Sequence, residues 1–281
     1  MKSCFTPEER KEKIEYLLDK DAYDFDDLVL IVTLLRSEGG CPWDIEQTHK
    51  SLRKGFIEET YEVIEAIDTE NPVLLREELG DVMLQVVFHA DIEREEGRFD
   101  IDGVSNDICA KLIHRHPHVF GEVEVKDTAD VLKNWEAIKG EEKKRVTHTD
   151  KLRSIPPMLP ALMRAQKVGK KASFFDFGTT EEVISKLYEE IDEVKEAYAG
   201  GEAADIEEEI GDLLLTVTSL CRKVHIDAEE AMNKATAKFI DRFEKVENET
   251  IKQGKNIEEM SMVELDAIWD VIKAQKNEKS L

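Results

Sequence analysis

Apolar positions recur with a period near 3.6 along almost the whole chain, so nearly every segment predicts an amphipathic helix. Candidate helices run over about 24–37, 50–68, 72–96, 100–115, 129–146, 158–171, 180–198, 203–224, 227–248 and 261–276. Strand signals are weak; Val119-Phe120 and Val123-Glu124-Val125 suggest one short extended piece. Several helix starts carry capping chemistry. Asn71 precedes Pro72, and Thr179 or Thr180 precedes Glu181-Glu182. All seven prolines lie at or before Pro160, as expected if the remaining residues form an uninterrupted helical array. The expected fold class is all-α.

A linker is expected over Thr147 to Pro160, where Thr147-His148-Thr149-Asp150 is followed by Pro156, Pro157 and Pro160. This places a boundary near 150, giving units 1–150 and 151–281. The two units repeat one another. IEETYEVIEAI at 57–67 matches YEEIDEVKEAY at 188–198, and Glu77-Glu78-Leu79-Gly80-Asp81 matches Glu208-Glu209-Ile210-Gly211-Asp212. The offset is 131 residues at both places. Asn106, Lys111 and Arg115 recur as Asn233, Lys238 and Arg242 at an offset of 127. The chain reads as a tandem duplication of one helical unit.

On a helix, residues i and i+3 share a face. Glu59 and Glu62 therefore point the same way, as do Glu78 and Asp81, and likewise Glu190 with Glu193 and Glu209 with Asp212. Two such helices packed together would gather four carboxylates, which repel unless a cation occupies the site. Mg²⁺ is the natural occupant, with Mn²⁺ as the alternative, because it takes carboxylates, waters and substrate phosphates. Gly80 and Gly211 stand mid-helix, where glycine costs about 1 kcal/mol relative to alanine, and suggest close approach of a helix or a ligand. A Glu-rich helix alone is usually a solvated face. The doubled motif and the paired Lys111/Arg115 and Lys238/Arg242, suited to phosphate oxygens, point to chemistry instead.

Composition narrows the class. The net charge of -24 argues against general nucleic-acid binding. Cys4, Cys41, Cys109 and Cys221 form no C-x-x-C pair, and the longest apolar run, Val82 to Ala90, is too short to span a bilayer. A reduced, cytoplasmic protein is expected, without membrane or stable nucleic-acid partners. Gly169-Lys170-Lys171 lacks the other residues of a P-loop. His114, His116 and His118 admit a metal reading, but a helix end and turn is the simpler one. Cys41-Pro42-Trp43-Asp44 and Phe174-Phe175-Asp176-Phe177 precede the two first acidic motifs; their aromatics suit either base stacking or packing. Core packing is the default for Trp269.

These residues closely resemble the MazG family of all-α nucleoside triphosphate pyrophosphohydrolases. In the first half the resemblance rests on GGCPWD at 39–44, EETYEVIEAI at 58–67, EELGDVMLQVVFHA at 77–90, EEGRFD at 95–100 and KLIHRHPHVFG at 111–121. In the second it rests on LPALMRAQKVGKKASFFDF at 159–177, YEEIDEV at 188–194, EEEIGDLLL at 207–215 and NKATAKFIDRFEKVE at 233–247. The resemblance implies Mg²⁺-dependent hydrolysis of ribo- and deoxyribonucleoside triphosphates between the α- and β-phosphates, with broad base specificity. It also implies homodimers whose sites are four-helix bundles. Carried onto the second unit, it makes Glu190, Glu193, Glu209 and Asp212 metal ligands, Lys238 and Arg242 phosphate contacts, and Trp269 a functional residue; Glu208 joins the acidic cluster. These four acids, Lys238 and Arg242 are the catalytic candidates. In the first unit the matching ligands are Glu59, Glu62, Glu78 and Asp81, with Lys111 and Arg115 for phosphate. Some members carry a lysine where this chain has Asp205.

The expected mechanism is attack of a metal-activated water on the α-phosphate, with Glu193 or Glu190 orienting or deprotonating it. A di-iron or di-manganese bundle would need Glu-x-x-His, which neither repeat supplies. A non-catalytic helical binding or regulatory module is the remaining rival.

Overall fold

The structure, a computed structural model, describes residues 5–142 and 147–278. Every regular element among them is helical, and the chain divides into two compact units, residues 1–142 and 143–281. In the first unit these are α1 (Pro7–Leu18), α2 (Phe25–Arg36), α3 (Pro42–Glu46), α4 (His49–Asp68), α5 (Pro72–Glu95), α6 (Ile101–Arg115), α7 (Pro117–Phe120) and α8 (Thr128–Glu142). In the second they are α9 (His148–Arg153), α10 (Ala161–Lys171), α11 (Thr180–Gly200), α12 (Ala203–Lys223), α13 (Ala228–Lys252) and α14 (Met262–Glu278).

The capping residues act as expected. Asn71 accepts hydrogen bonds from the amides of Val73 and Leu74, and Pro72 opens α5. Thr179 rather than Thr180 is the N-cap of α11; it exchanges hydrogen bonds with Glu182 in a capping box. The extended piece is not formed. Val119 and Phe120 close α7, and residues 123–125 are irregular. Pro117 starts a helical turn there, which overrides the local β-propensity. Helix α1 lay outside the expected elements; its apolar residues are few, and it is marked by the Thr6/Glu9 capping box and Pro7. The linker region contains α9, opened by a second capping box from Thr147 to Asp150.

Each unit centres on a long antiparallel hairpin, α4–α5 and α11–α12. In the first, Val32, Leu52, Val87 and Phe88 form the core, with Leu28, Val29, Leu84, Ile92 and Ile101 against it. A buried ion pair, Arg36 to Asp91 at 3.2 Å, fixes α2 on α5, and the Thr33 hydroxyl donates to Asp91 at 2.9 Å. In the second unit α10 lies on α12 and α13. Gln166 accepts from the Ala228 amide at 3.0 Å and donates to the Ile226 carbonyl at 2.8 Å. The two hairpin turns correspond to the residue: Glu70 and Gly201, 131 apart, both have positive φ, 51° and 84°. No described helix is long and apolar enough to cross a membrane.

Candidate active site

The hairpin geometry brings each pair of acidic motifs together. In the first unit, carboxylate oxygens of Glu59, Glu78 and Asp81 lie within 4.8 Å of one another. Burial raises the pKa of Glu59, and the charges of Asp81 and Glu62 raise it further. Burial also raises Glu78, followed by Glu62 and Asp81. The Glu62 charge raises both Glu59 and Glu78, so it belongs to the cluster although it lies outside the tight trio.

In the second unit, Glu190, Glu193 and Glu209 converge in the same way. Glu190 is buried. Burial raises the pKa of Glu209, with Glu193, Asp212, Glu208 and Glu190 adding to it. Asp212 thus acts on the cluster without joining the trio. Glu193, Glu196, Ala197, Asp205, Glu208 and Glu209 line a cleft open to solvent. Asp205, at the place where some members of the resembled family carry a lysine, makes its wall more acidic. Among the described residues one cation reaches the cluster: Lys186 Nζ lies 2.7 Å from Glu189, 2.9 Å from Glu190 and 3.5 Å from Glu193. Sequence reasoning missed this lysine, although its i, i+4 spacing to Glu190 was legible. A separate groove between α13 and α14, lined by Lys245, Lys252, Ile268 and Ile272, has Glu249 as its only acid and offers no metal chemistry.

The basic residues behave differently. Lys111 and Lys238 are exposed and form no ion pair with the described residues. Arg115, expected at phosphate, is buried, its guanidinium 5.4 Å from the ring centroid of Trp135. Arg242 is half-buried, 5.9 Å from Trp269, which also packs on Phe239 at 5.4 Å. The duplication therefore extends to an arginine–tryptophan pair, and Trp135 is the counterpart of Trp269 that motif reading overlooked. Its offset of 134 differs from the 127 of the arginines, which hid it.

The remaining candidates sort clearly. Among the described residues, only the two carboxylate groups bring three possible ligands together, and His114, His116 and His118 do not form such a group. His116 Nδ1 instead lies 2.6 Å from the Leu112 carbonyl. Trp43, Phe174 and Phe175 are exposed rather than packed in a core, while Asp44 beside Trp43 is buried. Close approach at Gly80 and Gly211 is not made among the described residues; a Cβ at either would meet nothing within 4 Å. Cys41, Cys109 and Cys221 are free thiols; Cys4 lies outside the described residues.

The donor set fits a hard divalent cation. It is all oxygen and partly buried, and in the first unit its carboxylates pair with no lysine or arginine among the described residues. Residues 47–120 and 178–247 match the MazG nucleotide pyrophosphohydrolase domain, so both hairpins and both clusters fall inside matched segments. The nucleoside triphosphate pyrophosphohydrolase/pyrophosphatase MazG of Thermotoga maritima is 45% identical over 89% of this chain and 95% of its own length. The nucleoside triphosphate pyrophosphohydrolase of Escherichia coli K12 is 43% identical over 89% and 97%, respectively. That of Mycobacterium tuberculosis is 34% identical over 83% and 62%. This chain belongs to the MazG nucleotide pyrophosphohydrolase family and carries its domain twice.

Proposed function

We propose that this chain hydrolyses nucleoside triphosphates to the monophosphate and pyrophosphate in a Mg²⁺-dependent reaction, with turnover in the second unit. The convergence of Glu190, Glu193 and Glu209 beside an open cleft carries this reading. The names of the relatives support the substrate class. Glu190, Glu193, Glu209 and Asp212 would hold the cation, as Glu59, Glu62, Glu78 and Asp81 would in the first unit. When bound, Mg²⁺ or Mn²⁺ supplies neutralisation of the triphosphate oxygens and acidifies a water.

The side chains do the rest. Glu193 or Glu190 orients the water and takes its proton. The water oxygen bonds to the α-phosphorus as the bond to the α–β bridging oxygen breaks, and pyrophosphate departs. Lys238 and Arg242 receive the charge that develops on the phosphates. Trp269, held against Arg242, offers a ring face to the nucleotide. Grip on phosphate rather than on base edges gives broad base specificity.

The working state in this reading is a homodimer. Ile57, Leu79 and Met83 are exposed, as are their register partners Tyr188, Ile210 and Leu214. Such faces beside Gly80 and Gly211 suit a second copy completing each bundle.

Pyrophosphate release from dATP and GTP tests the proposal. Purified protein should release it only with Mg²⁺ or Mn²⁺, Asp212→Asn should lose it, and Asp81→Asn should retain it. No metal-dependent release from the unaltered chain would leave a non-catalytic binding module. Loss in Asp81→Asn alone would move turnover to the first unit.

A further inference from the structure

The two clusters share a ligand set but not a counter-ion. Lys186 Nζ sits among Glu189, Glu190 and Glu193 at 2.7, 2.9 and 3.5 Å. The 131-residue register puts Gly55 at the corresponding place in the first unit, since 186 − 131 = 55. A second difference accompanies it. Gln85 in the first unit corresponds to Thr216 in the second, since 216 − 131 = 85. A Cβ on Gly55 would stand 3.2 Å from Gln85 Nε2, so the missing side chain is what leaves room for the amide. Gln85 Oε1 is buried without a hydrogen-bond partner in the described structure. One unit thus has glycine with a neutral amide, and the other has lysine with a small hydroxyl residue.

We infer that Lys186 is a built-in counter-ion of the second cluster, so that the first cluster binds a free divalent cation more tightly than the second does. The inference rests on the reading of both clusters as divalent-cation sites. In the first unit, Glu59, Glu62, Glu78 and Asp81 crowd together and pair with no lysine or arginine among the described residues, so an incoming cation meets uncompensated charge. In the second, a cation must displace an ammonium already bonded to two of its ligands, Glu190 and Glu193, which opposes binding. The first unit then keeps its cation at low free concentration, while the second loads in proportion to the supply.

Mn²⁺ binding to the full chain without nucleotide, followed by electron paramagnetic resonance and calorimetry, tests this. Asp212→Asn leaves the first site to be read and Asp81→Asn the second. The Asp212→Asn chain should bind Mn²⁺ more tightly than the Asp81→Asn chain. Adding Lys186→Gln to Asp81→Asn should tighten binding by about tenfold, through loss of a competing charge at contact distance. Adding Lys186→Arg, which keeps the charge, should leave binding weak and thereby exclude a packing effect. Gly55→Lys combined with Gln85→Thr, in the Asp212→Asn background, should weaken the first site. Equal affinities in the two single-site chains, or no change with Lys186→Gln, would overturn the inference while leaving both clusters as cation sites. No Mn²⁺ binding by the unaltered chain would overturn the cation reading itself.

Discussion

Arg222 Nη1 donates to Asp176 Oδ2 at 2.5 Å, and this pair ties α12 to the turn that leads into α11. Lys223 reinforces it, lying 3.4 Å from the same carboxylate oxygen and donating to the Phe177 carbonyl. Both ends of the hairpin that carries Glu190, Glu193 and Glu209 therefore depend on an ion pair remote from the cluster. The Arg222 guanidinium holds the Asp176 carboxyl at about 2, against an ordinary value of 3.8. A depressed carboxylate pKa stabilises the folded state above the unfolded value, and the benefit fades as pH falls through the folded one. Arg222→Met should destabilise the second unit by about 3 kcal/mol, because it leaves a nearly buried carboxylate without its main partner. In urea unfolding the defect should be full at pH 7 and shrink between pH 4 and pH 2.

The clusters act on stability in the opposite sense. Glu78 and Glu209 have raised pKa values, so the folded state holds protons that the unfolded state releases above about 4.5. Their contribution to stability is present below that pH and is lost as pH rises through the folded values. Metal-free protein at pH 7 therefore carries carboxylate repulsion, which Lys186 offsets in part in the second cluster only. Glu78→Gln and Glu209→Gln should each raise the melting temperature in EDTA by a few degrees and reduce the further rise produced by Mg²⁺. A fall in melting temperature in EDTA would show that these carboxylates make compensating bonds instead.

Both clusters were legible in sequence because a helical hairpin turns spacing into geometry. Once the two i, i+3 pairs lie on adjacent antiparallel helices, a fixed interval between them places Glu59 against Asp81 and Glu190 against Glu209. The basic residues were not legible to the same depth. The i, i+4 spacing of Lys111 and Arg115 says that they share a helix face, but not that Arg115 turns inward onto Trp135. That depends on α8, whose distance from α6 differs from the corresponding distance in the second unit. Lys186 was missed because it has no repeat partner, and only duplicated residues stood out from the acidic background. Helix α1 is short of apolar residues, so periodicity was silent and only its capping box and Pro7 marked it.

The turn shared by the two hairpins offers a simple stability test. Gly201 adopts its left-handed φ freely, but Glu70 at the same register pays for a φ of 51° with steric crowding of its Cβ. Glu70→Gly should stabilise the first unit by about 1 kcal/mol, the strain relieved less the extra freedom of the unfolded chain. Chemical denaturation followed by Trp43 and Trp135 fluorescence reads the first unit. Gly201→Glu should cost a similar amount in the second.

The two arginine–tryptophan pairs should separate a structural role from a chemical one. Arg115 is buried, and the Trp135 ring it faces also carries Lys139 at 4.3 Å from its centroid, so that ring is engaged by cations from two helices. Arg115→Ala removes packing as well as charge and should destabilise the first unit by roughly 1–3 kcal/mol. Arg242 keeps a solvent-facing part beside Trp269 and Phe239. Arg242→Ala should leave the melting temperature nearly unchanged and lower kcat for pyrophosphate release by about a hundredfold, the usual loss of one charge-stabilising donor. Arg242→Lys should recover only part of that, since an ammonium replaces neither the planar fork nor its stacking on the indole. Equal melting losses in Arg115→Ala and Arg242→Ala, with kcat unaltered in the second, would make both pairs structural and remove Arg242 from the reaction.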